Sequence, residues 1–260
     1  MQKGLTAFQL KVLGITLMVG DHIHQMFVLQ GAPMWLTMIG RIVAPIFLFL
    51  SAEGFHYTRN KLAYLRNLLV GFWIMSLIQQ LLSRLVPNDN VMLMNNIFGT
   101  LFLAVLLMSA VDLIKLGLTT KNPSKWGAGC AIITAVIVYG LGLMFLFDSP
   151  DFVMIAVYSS LLIPNILFVE GGFLMVLLAL CFYLFRGKKS LQLLALAVVA
   201  LISTGFSFQD LFLSNFQWMM IFAAIPLFFY NGQEGRKMKW FFYFFYPTHL
   251  VVLYLLATYL

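Results

Sequence analysis

The chain has 260 residues, 62% of them hydrophobic and only 10% charged, with 16 Lys or Arg against 9 Asp or Glu for a formal charge of +7. Soluble domains carry roughly 25% charge, so this composition excludes an ordinary soluble enzyme and points to an integral membrane protein. The basic excess then needs no nucleic acid to explain it, because cytoplasmic loops of membrane proteins collect Lys and Arg.

A helix needs ~20 apolar residues to cross ~30 Å of hydrocarbon. At that length the sequence predicts an all-α polytopic helical bundle, with spans near 7–28, 36–56, 63–84, 93–113, 127–147, 170–186, 190–204, 214–230 and 240–259. The first span follows Thr6 without an n-region or a small-residue cleavage site, so it reads as retained rather than as a signal peptide. Segment 151–168 is apolar but interrupted by Pro164-Asn165, the pattern of a broken or re-entrant helix lying against protein.

Charge orients these elements. Lys3, the turn with Arg59, Lys61 and Arg66, the loop with Lys115, Lys121 and Lys125, the "RGKK" run at 186–189 and "EGRKMK" at 234–239 mark one side as cytoplasmic. The alternating loops "QGAPM", "PNDN", "FDSPD" and "STGFSFQDLFLSN" have no Lys or Arg. Were 151–168 a full crossing, ten spans would put the last two basic runs outside. Nine crossings plus one re-entrant helix, N-terminus inside and C-terminus outside, is therefore the expected topology. No Pro/Ser-rich linker or repeat divides residues 1–260, which read as one domain. Cys130 and Cys181, both in apolar runs, read as buried thiols without a disulfide.

Polar residues within the spans are costly unless compensated. "GDHIHQ" puts Asp21, His22 and His24 toward the outer part of the first span. Arg41, near the start of the next, antiparallel span, falls at a comparable depth, so an Asp21–Arg41 ion pair is expected. His22 lies about 100° around the helix from Asp21, where it can face a cavity shared with the second span. A neutral imidazole there can take a proton from an attacking amine or hydroxyl. A satisfied intramembrane histidine fits the same place; a metal ligand does not, because no Cys/His/Asp set has ligand spacing on one helix. His24 projects to the lipid edge or a helix interface.

Glu53 and His56 share a face near the cytoplasmic boundary, followed by Arg59, Lys61 and Arg66, a rim suited to a phosphorylated donor. The positive-inside bias would put the same charges there. Gln79, Gln80, Asn95, Asn96, Asn215 and Gln217 extend a polar thread through later spans. In the last span His249 sits near mid-bilayer, two residues after Pro247, which leaves the carbonyl of Tyr243 without its usual partner.

Three stretches, "LTAFQLKVLGITLMVGDHI", "IGRIVAPIFLFLSAEGFHYTRNKLAYLRNLL" and "PLFFYNGQEGRKMKWFFYFFYPTHLVVLYL", resemble the TraX-type membrane acetyltransferases. The founding role of that family is N-terminal acetylation of conjugative pilin, and it belongs to a wider group of multi-span acyltransferases using acetyl-CoA. The likeness runs from end to end. Asp21 and His22 match its Asp-His pair, Arg41 and Pro45 its Arg-x-x-x-Pro element, and Glu53 and Gly54 its Glu-Gly pair. Thr58, Asn60 and Tyr64 match the following turn; Tyr230, Asn231, Gly232 and Gly235 match "YNGxxG"; Tyr246, Pro247 and His249 match the terminal "YPxH". His24 has no place in that pattern, and residues 110–210 carry little that is specific.

The resemblance implies transfer of an acetyl group from acetyl-CoA to an amine or hydroxyl, such as a protein N-terminus or a glycan, in a bacterial cytoplasmic membrane, with no metal. His22, Asp21, His249 and Glu53 are the expected catalytic residues. Arg41, His56, Arg59, Lys61, Tyr230, Asn231, Arg236 and Lys237 are the expected donor-binding ones. The residues by themselves also fit a transporter using buried Asp, Arg and His as a substrate or proton path.

Overall fold

A computed structural model describes residues 4–260; Lys3 and the side chain of Lys239, both in expected basic clusters, fall outside the described residues. The chain is an all-α, multi-pass membrane protein. Its helices are α1 Ala7–Phe27, α2 Trp35–Gly40, α3 Val43–Tyr57, α4 Lys61–Leu85, α5 Ile97–Thr119, α6 Pro123–Phe147, α7 Val153–Leu162, α8 Gly172–Leu184, α9 Lys189–Ile202, α10 Ala224–Phe228 and α11 Lys239–Tyr259. A 3₁₀ turn, Gln217–Ala223, leads into α10. Among the described residues six helices have the length and apolarity to cross a membrane, with α2 and α3 together forming one of them, and four more apolar helices are shorter.

The chain divides into two compact units, Met1–Leu50 with Leu77–Met94 and Phe185–Leu260, and Ser51–Ser76 with Asn95–Leu184. In the first, α1 packs against α2 and α11, and α9 against the 3₁₀ turn and α10. Its ends are fixed by backbone chemistry. Thr6 and Gln9 form a reciprocal capping box, Gln9 N–H donating to Thr6 Oγ1 at 3.3 Å and Thr6 N–H to Gln9 Oε1 at 2.8 Å. The next two donors of α1, the N–H groups of Ala7 and Phe8, reach the carbonyls of Gln233 and Glu234 at 2.8 and 3.0 Å. The second apolar span breaks at Arg41-Ile42, where the N–H groups bond three residues back, to Met38 and Ile39. Pro45 explains the break: it has no N–H for the carbonyl four residues earlier, that of Arg41, and its ring crowds that turn.

In the second unit, α5 packs on α6 and α8, and α6 on α7. Asn60 caps α4, accepting from Ala63 N–H at 2.9 Å, and Asn122 caps α6 with Pro123 next to it. The interruption expected at Pro164-Asn165 is present, since α7 stops at Leu162. Its orphan carbonyls are met by protein: Tyr139 Oη donates to Ser159 and Ile163, and Trp73 Nε1 to Leu162 at 2.8 Å. A helix end without water needs such partners.

Two local expectations change. Lys115 and Lys125 lie within α5 and α6 rather than in the loop, because α5 continues to Thr119 and α6 begins at Pro123. Cys130 is exposed and Cys181 half-buried; both are free thiols on helix faces, so an apolar run alone did not place them inside.

Candidate active site

The hairpin of α1 with α2 places Asp21 beside Arg41, and Gly40 makes the approach possible. A Cβ on Gly40 would lie 2.4 Å from the Asp21 Cβ. Arg41 Nη2 donates to Asp21 Oδ1 and Oδ2 at 2.8 and 2.9 Å. The carboxylate also accepts from Thr37 Oγ1 at 2.6 Å and Gln25 Nε2 at 3.1 Å, so its charge is fully paired. The remaining guanidinium donors are directed as well: Nε to the Thr37 carbonyl at 3.1 Å and Nη1 to Gln217 Oε1 at 3.2 Å, with Phe216 under the cation at 5.6 Å. Gln217, at the head of the 3₁₀ turn, thus joins the pair from a distant part of the chain. Thr37 and Gln25 had no charge to betray them in the sequence.

His22 does not turn to Asp21. Its Nδ1 lies 2.7 Å from Nε2 of His249, and the two rings are 16° from parallel with centroids 5.0 Å apart, an edge-to-edge contact. His249 Nδ1 in turn lies 2.8 Å from the carbonyl of Phe245, one turn earlier in α11. A carbonyl only accepts, so His249 carries its proton on Nδ1. With both rings neutral its Nε2 is then an acceptor, which fixes the His22 proton on Nδ1. The lone pair of His22 remains on Nε2, outside this chain of bonds. Phe245 stacks on His249 at 4.9 Å and Tyr246 meets both imidazoles edge-on, holding the rings in place. His22 is only 2% exposed.

Of the two places open to His24, it takes the buried one, with Nδ1 3.1 Å from the Ala32 carbonyl in the α1–α2 connection. Its role is to hold that turn.

Several residues singled out by motif have their polar groups engaged in holding backbone. Asn231 accepts from Gln233 N–H at 3.0 Å, and its N–H and the Phe229 carbonyl form a bridge to Leu5. Tyr230 packs edge-on against Phe49, while Lys189 Nζ caps the carbonyls of Phe228 and Tyr230 at 2.7 and 3.2 Å. Gly235, at φ 72°, lies where a Cβ would be 2.8 Å from Thr6 Oγ1. The "YNGQEG" loop is thus a clasp on the start of α1. Arg236 and Lys237 are exposed beyond it, Lys237 within 3.7 Å of Glu234.

The second unit holds the Glu53 to Arg66 region. Glu53 is half-buried, and His56, Arg59 and Arg66 are exposed. Lys61 is committed: its ammonium pairs with Asp112 and sits 4.4 Å over Phe55, while Tyr183 donates to the other oxygen of Asp112. Thr58 caps the end of α3 through the Gly54 carbonyl at 2.7 Å, and Tyr64 bonds Ser51 at 3.0 Å. Asp112 and Tyr183 escaped the sequence reading because nothing local marks them. Among the described residues no group of three or more His, Cys, Asp or Glu is placed to hold a metal ion.

Fold and site together define a polytopic helical membrane protein with an oriented histidine pair, His22 buried and His249 half-buried, beside a paired carboxylate and guanidinium. The chain belongs to the TraX family: the family described as TraX protein matches residues 7–257. It is also similar to a "Probable fimbrial assembly protein FimC, serogroup H1" of Dichelobacter nodosus, 39% identical over 66 residues, 25% of this chain and 27% of that one. The match thus spans about a quarter of that relative. No solved structure matches.

Proposed function

We propose that this TraX-family chain, with residues 1–260 as one acyltransferase domain, moves an acetyl group from acetyl-CoA to an amine or hydroxyl acceptor. The observation that carries the reading is the bond sequence Phe245 carbonyl, His249, His22, which leaves a buried base with a defined tautomer. His22 Nε2 takes the proton of the acceptor's N–H or O–H as that nitrogen or oxygen bonds to the acyl carbon. It returns the proton to sulfur as the carbon–sulfur bond breaks, and free CoA leaves as the thiol. His249 spreads the intervening positive charge along the pair, the orienting role a carboxylate plays in other acyl-transfer sites. Asp21 acts through Arg41 and the α1–α2 geometry, and Glu53 remains a catalytic candidate.

Donor binding is assigned to exposed cations on the cytoplasmic side: Arg59 with His56 in one unit, Arg236 and Lys237 in the other. Lys61 braces the first of these regions and Tyr230 and Asn231 the second, through the bonds described above, while Arg41 holds the α1–α2 hairpin. The fimbrial name of the similar protein favours a fibre subunit, and hence a protein N-terminus, over a glycan as acceptor. The setting is a bacterial cytoplasmic membrane, crossed nine times with one re-entrant helix and the N-terminus inside.

The test is acetyl-CoA binding and turnover in purified, detergent-solubilised protein. Saturable binding that weakens on neutralising Arg59 or Lys237, and much less on neutralising Lys121, supports the reading. Absence of binding, or equal loss at all three, counts against it.

A further inference from the structure

The hairpin of α9 with the 3₁₀ turn and α10 has regular legs shorter than the hydrocarbon layer. Lys189 ties its two feet together at the basic end, through the carbonyls of Phe228 and Tyr230. Helix α9, with 14 residues, rises about 21 Å at the usual advance per residue. The returning leg, a seven-residue 3₁₀ turn and the five residues of α10, has the same height, about 21 Å. In a hydrocarbon layer of ~30 Å the two legs end about 9 Å below the opposite boundary, so the connecting loop 203–216 occupies that last stretch.

The loop is built for that depth. Irregular backbone survives near lipid only when its polar groups are met internally. Here the Phe206 N–H bonds Thr204 Oγ1 at 3.1 Å, and the Asp210 carbonyl accepts from Leu213, Ser214 and Asn215. Asn215 Nδ2 donates to the carbonyls of Thr204 and Ser207 at 3.1 and 2.9 Å, and Trp218 Nε1 to that of Leu211 at 2.9 Å. Phe206 and Asp210 are held at positive φ, 58° and 51°, a conformation few non-glycine residues adopt. The result is an ordered turn that directs its apolar side chains outward: Phe206, Phe208, Phe212 and Leu213 are each at least 60% exposed. It contains no Lys or Arg and a single acid, Asp210.

We infer that loop 203–216 is a lipid-binding surface, its Phe206, Phe208, Phe212 and Leu213 side chains inserted among acyl chains of the leaflet opposite Lys189, just below the headgroups. An aqueous face would leave four adjacent large apolar groups in water, whereas the acyl-chain boundary takes them at a gain. Because the loop runs directly into Phe216 and Gln217, the lipid contact also sets the depth of the residues that hold Arg41. The inference needs only that the chain spans a membrane and is independent of the acetyltransferase reading.

Site-directed spin labelling tests it. Single cysteines at 208, 212 and 213 are introduced into full-length chain with Cys130→Ala and Cys181→Ala, reconstituted in phosphatidylcholine/phosphatidylglycerol vesicles; a fourth at Gly232, on the basic-end loop, is the aqueous control. Collision with oxygen, which concentrates in lipid, is compared with collision with a water-soluble nickel chelate. The oxygen-to-nickel ratio is expected to be several-fold higher at 208, 212 and 213 than at 232. Nickel-dominated collisions at the three loop sites, matching the control, would overturn the proposal and mark the loop as a water-facing surface. These side chains are exposed, so labelling removes little packing, and three sites guard against one misfolded variant.

Discussion

His22 and His249 are not equivalent, and substitution separates them. His22→Ala removes the proposed base, so transfer should fall by ~10²–10⁴ while acetyl-CoA affinity stays within a few-fold. His249→Ala leaves the base but frees its tautomer; the rate should fall less, and its pH profile should shift, because the neighbour that accepts the Nδ1 proton is gone. His24→Ala should cost stability through the lost Ala32 contact and leave the rate per folded molecule nearly unchanged. A strong rate loss at His24 with none at His22 would show that the base has been misassigned. The Asp21–Arg41 pair makes a separate prediction. Removing Arg41 leaves the buried Asp21 charge uncompensated, at a cost of ~3–5 kcal/mol, and removing Asp21 leaves a half-buried guanidinium at a smaller cost, so Arg41→Met and Asp21→Asn should each lower the melting temperature in detergent. The double variant should lose less than the sum; strict additivity would mean that the two do not cooperate. This pair was legible because a tight hairpin puts both residues at one depth. The histidine pair was not, since 227 positions separate its members and only helix packing fixes which rings meet.

At the level of elements, breaks do the positioning. Pro45 disrupts the ladder four residues after Arg41, so the chain tightens where the guanidinium must face Asp21. Pro45→Ala restores a donor and relieves the crowding. We expect little change in thermal stability, or a slight gain, together with reduced transfer as a straightened helix moves Arg41; unchanged activity would show that the break merely accompanies the site. Gly40→Ala has the opposite profile, because its new methyl collides with the Asp21 side chain and must part α1 from α2. A clear fall in melting temperature is expected there. Sequence pattern exposed the break at Pro164, since proline acts locally, but took 36–56 as one continuous span and missed the break before Pro45. It did not expose the clasp of the "YNGQEG" loop on α1, whose bonds run between opposite ends of the chain. Nor did it reveal Asp112 beneath Lys61, where membrane charge bias already accounted for the lysine.

For the whole molecule the open quantity is the path through the bilayer, and α7 decides its parity. With 10 residues, α7 extends about 15 Å at the usual advance per residue, half of the ~30 Å that a crossing demands. On the nine-crossing reading it enters and leaves on one face, with its end capped by Tyr139 and Trp73 rather than by water. The short α8 must then count as a crossing if Arg186, Lys188 and Lys189 are to share a side with Lys121, as the basic bias requires, while α9 and α10 together return the chain to that same side for Lys237. A reporter fused after Lys121 or after Lys189 should accordingly be cytoplasmic, and one fused at Asp148 should lie outside. Lys189 is the informative position: a full crossing by residues 151–168 would reverse it while leaving Lys121 and Asp148 unchanged. An external signal at Lys189 would thus replace nine crossings with ten. It would also conflict with the clasp, whose bonds keep Lys189, the "YNGQEG" loop and the start of α1 together, and would deny Arg236 and Lys237 cytosolic acetyl-CoA, so this single fusion tests the route of the donor as well as the span count.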